Sequence, residues 1–562
     1  MTTFHPERSE NGAISAPLTM FGPDFPFPYD DWLAHPGGLG RVPAEAHGTE
    51  VAVIGGGIAG MVAAHELLRL GLRPVVYEAE QDLGGRMCSP SFDGHPEAIA
   101  ELGAMRFPTA ATTLFHYIRE AGLETKPFPN PLSPSAPSTV IDLEGREHWA
   151  RTAAELPSIY QQVSDAWDKA LQENAERSAI EDAIRRRDVR SMKAIWNGLV
   201  ARLDDQSFYE FLANAPSFSA FRYREIFGQV GFGTGGWDTD FPNSILEILR
   251  VVFGRADDDH HTIVGGSRQL PEGLWRHRHH DLAYWPDGTS LAALHEGHPR
   301  PAVSHIDRCG TGITVRDIGG GSRVYPAAIF TPNVRLLLTK VRTDERLLPR
   351  QCWTAVERTH YMGASKVFVL TDRPFWQDKD PVTGRDMLSM TLTDRAPRSV
   401  YLLDDGPDRP GVICLSYTWN DDSLKQLPLT DEERMDSILP ALERIYPGAP
   451  IREHVIGKPI TVTWEREPNF NGAFKANLPG HYRYQRRLYT HFMQQDLNAD
   501  QRGFFLAGDD VSWTGGFAEG AVTTALNAVW GVLRQFGGTT CAGNPGPGDL
   551  FADLAPVELP MD

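Results

Sequence analysis

Along this chain the spacing of apolar residues alternates between two periods. Residues 51–54 (VAVI) and 74–77 (PVVY) are short runs that read as buried parallel strands, and between them Met61, Ala64, Leu67 and Leu68 fall on one helical face. Helical spacing returns through Leu156, Ile159, Tyr160, Val163, Trp167 and Leu171, and 177–203 continues in the same style, which predicts a helical insertion. Alternation reappears at 304–315 and 324–331, expected as strands that rejoin the first sheet. Beyond them, SKVFVL (365–370), GVICLSYTW (411–419) and a helix over 432–445 predict a second sheet with helices. A last strand, 502–510, leads into a helix with Val522, Leu526, Val529 and Leu533 on its inner face.

Composition narrows the possible functions. At 562 residues the chain is long enough for several domains of roughly 150 residues each. A formal net charge of −19 argues against nucleic acid or an anionic membrane as partners, since both require basic surface, and it suits a cationic substrate. The five cysteines are scattered without a CxxC pair, so neither a zinc site nor a disulfide framework is expected. No apolar signal core opens the sequence, and no run of about 18 apolar residues occurs. A soluble, cytoplasmic protein is expected.

The first strand ends in Gly55, Gly57 and Gly60, a G-x-G-x-x-G pattern at a strand-to-helix turn. The three glycines allow, in order, a tight turn, close approach of the backbone to a pyrophosphate, and close packing of helix on strand. Glu78 ends the second strand, where an acid accepts hydrogen bonds from ribose hydroxyls. Gly84-Gly85-Arg86 follows. Glycines alone would also suit an NAD-binding unit. With Glu78 and GGR, the segment resembles the flavin amine oxidases, in which GGR lies against the FAD diphosphate.

That resemblance spans nearly the whole chain. It is closest to the bacterial L-amino-acid 2-monooxygenases and oxidases; FGPDFPFPYDDWL, GGWDTDFPNS and GHYRYQRRLYTHFMQQD look most like the lysine 2-monooxygenase branch. It implies an α/β fold, with a discontinuous Rossmann-like FAD-binding domain plus a mixed-sheet substrate domain with a helical insertion. The expected division is an N-terminal wrapping segment (1–48), FAD-binding parts at 49–110, 261–335 and 491–540, a helical insertion and first substrate part (111–260), a second substrate part (336–490) and a tail (541–562). FAD is the implied cofactor, and a homo-oligomer is implied by the relatives.

The resemblance also assigns roles. Arg106, in the segment GAMRF, would hold the substrate carboxylate so that Cα–H faces the flavin; by residue type alone it could be a surface or diphosphate-pairing arginine. Lys366 would assist oxygen chemistry, although a charge opening an apolar strand is commonly an edge or snorkelling position. Tyr417 joins these two as a catalytic candidate, and Trp419, Phe474 and Phe517 would form an aromatic cage around the substrate, while Trp376 and Trp513 read as packing. Phe517, after Gly515 and Gly516, stands where relatives carry Trp, which predicts a roomier pocket. Cofactor contacts are expected from Gly55, Gly57, Gly60, Glu78, Gly85, Arg86, Met105, Arg106, Val303, Gly508, Asp509, Phe517 and Ala518. Asp509 and Asp510 would equally suit helix capping.

A cationic side chain in the pocket needs a counter-charge, and GGWDTDFPNS offers Asp238 and Asp240; Asp238 is the expected one. The run Asp257-Asp258-Asp259-His260-His261 reads as a solvated turn, because consecutive residues rarely converge on one ion, and no metal is expected. The implied reaction joins a cationic L-amino acid, arginine ahead of lysine, with dioxygen to give the one-carbon-shorter amide, carbon dioxide and water. An oxidase releasing 2-oxo acid, ammonia and hydrogen peroxide, an amine or polyamine oxidase, and a flavin-binding protein without turnover are the alternatives.

Overall fold

The computed structural model describes residues 18, 20–230, 242–280, 282 and 284–560. A four-stranded parallel sheet takes one strand from the middle of the chain, one from near its end and two from near its start, in the order Phe504–Leu506, Ala328–Phe330, Glu50–Ile54, Arg73–Tyr77. The helices Ile58–Arg69 and Ala518–Gln535 pack together against it. The sequence pattern predicts a single apolar stripe on the first helix, yet every residue from Ile58 to Leu68 is buried. Its polar members are therefore paired: the Tyr117 hydroxyl donates to Glu66, and His65 meets Glu120.

The alternating stretch 324–331 is not one strand. Pro326 has no N–H to donate, and the chain changes sheets there. Ser322–Tyr325 joins a four-stranded sheet with Gly312–Asp317, Val303–Cys309 and Arg342–Thr343, whereas Ala328–Phe330 enters the parallel sheet. Only the latter rejoins the nucleotide-binding strands.

The second large sheet has seven strands, ordered Val455–Thr463, Ala364–Thr371, Gly411–Trp419, Ser399–Leu403, Met390–Thr393, Thr139–Leu143, Arg146–Ala150. Its last two strands come from before the helical stretch. Helices Ser158–Ala175, Arg177–Arg185 and Val189–Leu203 then form the insertion, buried through Val163, Trp167, Leu171, Ile180, Trp196 and Leu199.

The aromatic N-terminal segment and the tail close over the nucleotide half together. Phe25 packs on Phe492 and Phe551, and Trp530 lies against Gly546 and Gly548. A buried chain of charges also ties the parts to one another: Arg250 donates to Asp24 and Glu247, and Glu247 pairs with Lys475. No helix among the described residues is long and apolar enough to cross a membrane.

Candidate active site

One long cavity runs between the two large sheets, and its wall includes both the glycine-rich turn and the aromatic residues of the seven-stranded sheet. At the nucleotide end Gly55 has φ of +101°, and its N–H donates to Tyr77 O at 2.8 Å. A Cβ on Gly60 would stand 1.9 Å from Gly55 O, so any side chain there pushes the helix off the strand. At Gly57, by contrast, the nearest atom would be Gly84 O at 3.7 Å, which leaves the backbone open to the cavity. Glu78 accepts from the N–H groups of Gly56, Ala79 and Glu80, which orient its carboxylate at the wall. An open glycine turn followed by an oriented acid fits a dinucleotide.

Gly85 and Arg86 lie on the same wall. The Arg86 guanidinium is ion-paired with Asp509 through both terminal nitrogens and donates to Ala473 O at 2.7 Å. Asp509 also accepts from Gly516 N at 3.0 Å, while Asp510 accepts from Val334 N and the Tyr361 hydroxyl. Neither acid caps the helix Ala518–Gln535, whose N-cap is Phe517. Asp509 joins the GGR loop to the last strand-to-helix passage, and Asp510 ties that passage to Val334 and Tyr361. Met105, Val303, Gly508, Phe517 and Ala518 complete this part of the wall.

At the other end Lys366 is buried on Ala364–Thr371, a strand of the seven-stranded sheet paired on both sides, which removes the edge and snorkelling reading. Its Nζ donates to Glu101 O and Gly103 O at 3.0 and 2.6 Å and lies 4.6 Å from the centre of the Tyr417 ring, its cross-strand partner. Burial pushes the ammonium down to about 8. Tyr417, Trp419 and Phe474 follow one another edge to face at 5.3 and 5.8 Å, and all three line the cavity. Phe517 lines it as well, with Phe21 of the N-terminal segment against it at 5.2 Å.

A Cβ on Gly515 would meet Lys475 O at 2.2 Å, and one on Gly516 the Phe474 ring at 3.0 Å. The two glycines let Lys475 and Phe474 approach the chain just before Phe517. Trp376 and Trp513 are buried in packing, as expected.

Arg106 is placed by residues that no local pattern announced. Its Nη1 donates to Asn130 Oδ1 and to the Tyr401 hydroxyl, each at 2.9 Å, and the guanidinium lies over the Phe128 and Tyr401 rings. Asn130 Nδ2 in turn donates to His260 Nδ1 at 2.7 Å, and His260 Nε2 meets Ala256 O at 3.1 Å. His260 therefore carries its hydrogen on Nε2; burial and the Arg106 charge hold it neutral, pushed down to about 3. Arg106 is half-buried on the cavity wall, and no carboxylate is ion-paired with it among the described residues.

The run 257–261 is corrected here. Asp258 and Asp259 are exposed, but Asp257 lines the cavity and His260 is buried, because His260 and His261 pair with Pro108 and Phe107 in an antiparallel ladder. That pairing brings Asp257 onto the cavity wall that Arg106 also lines. Asp238 and Asp240 lie outside the described residues. No group of three metal-ligating side chains is arranged to hold an ion among the described residues.

A family model described as flavin containing amine oxidoreductase matches residues 58–533. The chain is 34% identical over 542 residues to a tryptophan 2-monooxygenase of Pseudomonas savastanoi, covering 91% of this chain and 94% of that protein. It is 33% identical to the enzyme of the same name from Pantoea agglomerans pv. gypsophilae, with 91% and 93% covered, and 23% identical to an L-amino-acid oxidase of Mus musculus, with 87% and 71% covered. Among solved structures, cyclohexylamine oxidase from Brevibacterium oxydans aligns with a TM-score of 0.63 at 19% identity over 87% of this chain and all of that one. Putrescine oxidase bound to putrescine aligns at 0.61 and 18%, over 86% of this chain and 99% of that one.

Proposed function

The chain belongs to the flavin-containing amine oxidoreductase family and uses FAD, and we propose that within it the protein is an L-amino-acid 2-monooxygenase acting on a cationic substrate, L-arginine ahead of L-lysine. One observation carries the amino-acid part of this reading. Arg106 is a half-buried guanidinium on the cavity wall, bonded only to neutral acceptors, with its Nε and Nη2 donors making no hydrogen bond among the described residues. Such a fork is matched to a carboxylate, and an amine oxidase for simple amines has no use for it.

Gly55, Gly57, Gly85 and the helix start at Ile58 would hold the FAD diphosphate, Glu78 the ribose, and Gly508, Phe517 and Ala518 the flavin end. When bound, FAD supplies the two-electron acceptor for the Cα–N bond and the means of using dioxygen. The protein contributes orientation: Arg106, braced by Asn130 and Tyr401, fixes the carboxylate, and Trp419 and Phe474 bound the side chain. Lys366 Nζ, held near 8, gains and loses a proton close to neutral pH, as a group assisting oxygen reduction must.

Held in place, the imino acid is decarboxylated, so that amino acid and dioxygen become amide, carbon dioxide and water. Released early, it hydrolyses to 2-oxo acid and ammonia, with hydrogen peroxide as the other product. Aromatic walls favour a planar guanidinium over a compact ammonium, which supports arginine ahead of lysine. The names of the relatives support a second reading, tryptophan, whose indole also suits aromatic walls. Mass spectrometry of products from separate aerobic incubations with L-arginine, L-lysine and L-tryptophan, with peroxide assayed in parallel, tests all of this. The expected result is 4-guanidinobutanamide with little peroxide; 2-oxo acid with stoichiometric peroxide would make the protein an oxidase, and turnover of L-tryptophan alone would replace the cationic substrate.

A further inference from the structure

The charged groups on the cavity wall divide into those already engaged and those that are not. Arg86 is paired with Asp509, and Lys475 with Glu247. Glu78 and Glu519 each accept from backbone N–H groups, Glu80 accepts from Asn469 Nδ2, Lys366 is bonded to two carbonyls, and Lys340 is exposed. Two groups remain. Arg106 has no acid partner, and the Asp257 carboxyl makes no hydrogen bond and no ion pair among the described residues. They face the same cavity and act on each other through space without bonding.

An unpaired cation and an unpaired carboxyl, both half-buried on one cavity wall, are costly to maintain unless a ligand completes both. Main-chain structure holds Asp257 in place: the His260–Pro108 and His261–Phe107 pairing anchors one side of its loop, and His260 is bonded to Ala256 O next to it. We propose that Asp257 is the specificity residue that reads the positive charge on the substrate side chain while Arg106 holds its α-carboxylate. This rests on the cationic amino acid proposed above.

The α-amino group is a poorer partner for Asp257. The amine must be neutral when its Cα–H leaves, and a carboxylate bonded to it would stabilise the ammonium form and slow the reaction. A charge at the far end of the side chain is unchanged throughout, so its binding can serve orientation without opposing chemistry. Burial raises the Asp257 carboxyl well above its ordinary value, with Arg106 opposing the rise. A bound cation would act in the same sense as Arg106 and keep the carboxyl ionised.

The test compares each cationic amino acid with its neutral isostere, L-arginine against L-citrulline and L-lysine against L-norleucine, in the FAD-loaded wild type, Asp257→Asn and Asp257→Glu. In Asp257→Asn, kcat/KM for the cationic member of each pair should fall by at least about thirty-fold, the effect of removing one partner of a desolvated charge pair. The neutral members should change less than about threefold, and Asp257→Glu should restore part of the cation preference. A cation preference that survives Asp257→Asn overturns the assignment while leaving the cationic amino acid in place. An equal fall for charged and neutral members also overturns it, since the residue then acts on the α-amine or on the fold. A wild type with no preference for the cationic members removes the substrate reading and this assignment together.

Discussion

The two ends of the cavity are built in opposite ways. The nucleotide end comes largely from one continuous segment, in which Gly55, Gly57, Gly60, Glu78 and Gly85 stand within 31 residues of one another. The substrate end is assembled from Arg106, Asn130, Asp257, Lys366, Tyr401, Tyr417 and Phe474, brought together by strand pairing across most of the chain. A site made by local chain geometry fails when the backbone is blocked. One made by long-range assembly fails when a single contact is lost and the fold survives.

Four variants sharpen that contrast. Gly60→Val should have the largest effect, because its side chain would collide with Gly55 O; the purified protein should lack flavin absorbance, and full FAD occupancy would remove the packing role assigned to this glycine. Arg106→Ala should keep its FAD but lose about a thousandfold or more in kcat/KM for the amino acid, as expected for a charged positioning contact worth several kcal/mol. Near-normal turnover would remove Arg106 as the carboxylate ligand. Asn130→Ala leaves the guanidinium charge and removes one of its braces, so KM should rise roughly tenfold with FAD content unchanged.

The smallest effect concerns pH. His260 is pushed down to about 3 by burial and Arg106, whereas an unfolded chain protonates histidine near 6.5, so the unfolded state binds more protons between those values. The stability that depends on neutral His260 is complete above about 6.5 and is lost as pH falls toward 3. At pH 5 the loss is about 2 kcal/mol. Denaturant midpoints at pH 7 and pH 5 should therefore diverge more in wild type than in His260→Gln, and equal shifts would show that His260 titrates as in solvent.

Legibility in the sequence followed the same division. The first strand, the glycine turn, Glu78 and the closing helix were all readable, because an apolar run and a helical stripe report on their own neighbours. Pro326 was a visible signal for the break in 324–331, but which sheet each half joins depends on strands far away. Gly515 and Gly516 are visible in the sequence, but only the packing shows that Lys475 O and the Phe474 ring are what they admit. Asn130 and Tyr401 carry no local mark of their role, since any exposed asparagine or core tyrosine has the same neighbours in sequence.

By itself, then, the sequence determined a dinucleotide-binding strand, glycine turn and helix within an α/β chain, because nucleotide binding is written in backbone conformation and short-range periodicity, while the flavin chemistry and the expected role of Arg106 came from its resemblance to the family. The tertiary structure alone decided that Arg106 is braced by Asn130 and Tyr401, that Lys366 is buried on a strand paired on both sides, and that Asp257 leaves the solvated run to face the cavity. The physical reason is that charge and hydrogen bonding take their value from burial, and burial is set by pairings such as His261 with Phe107, which connect residues 154 apart in the chain.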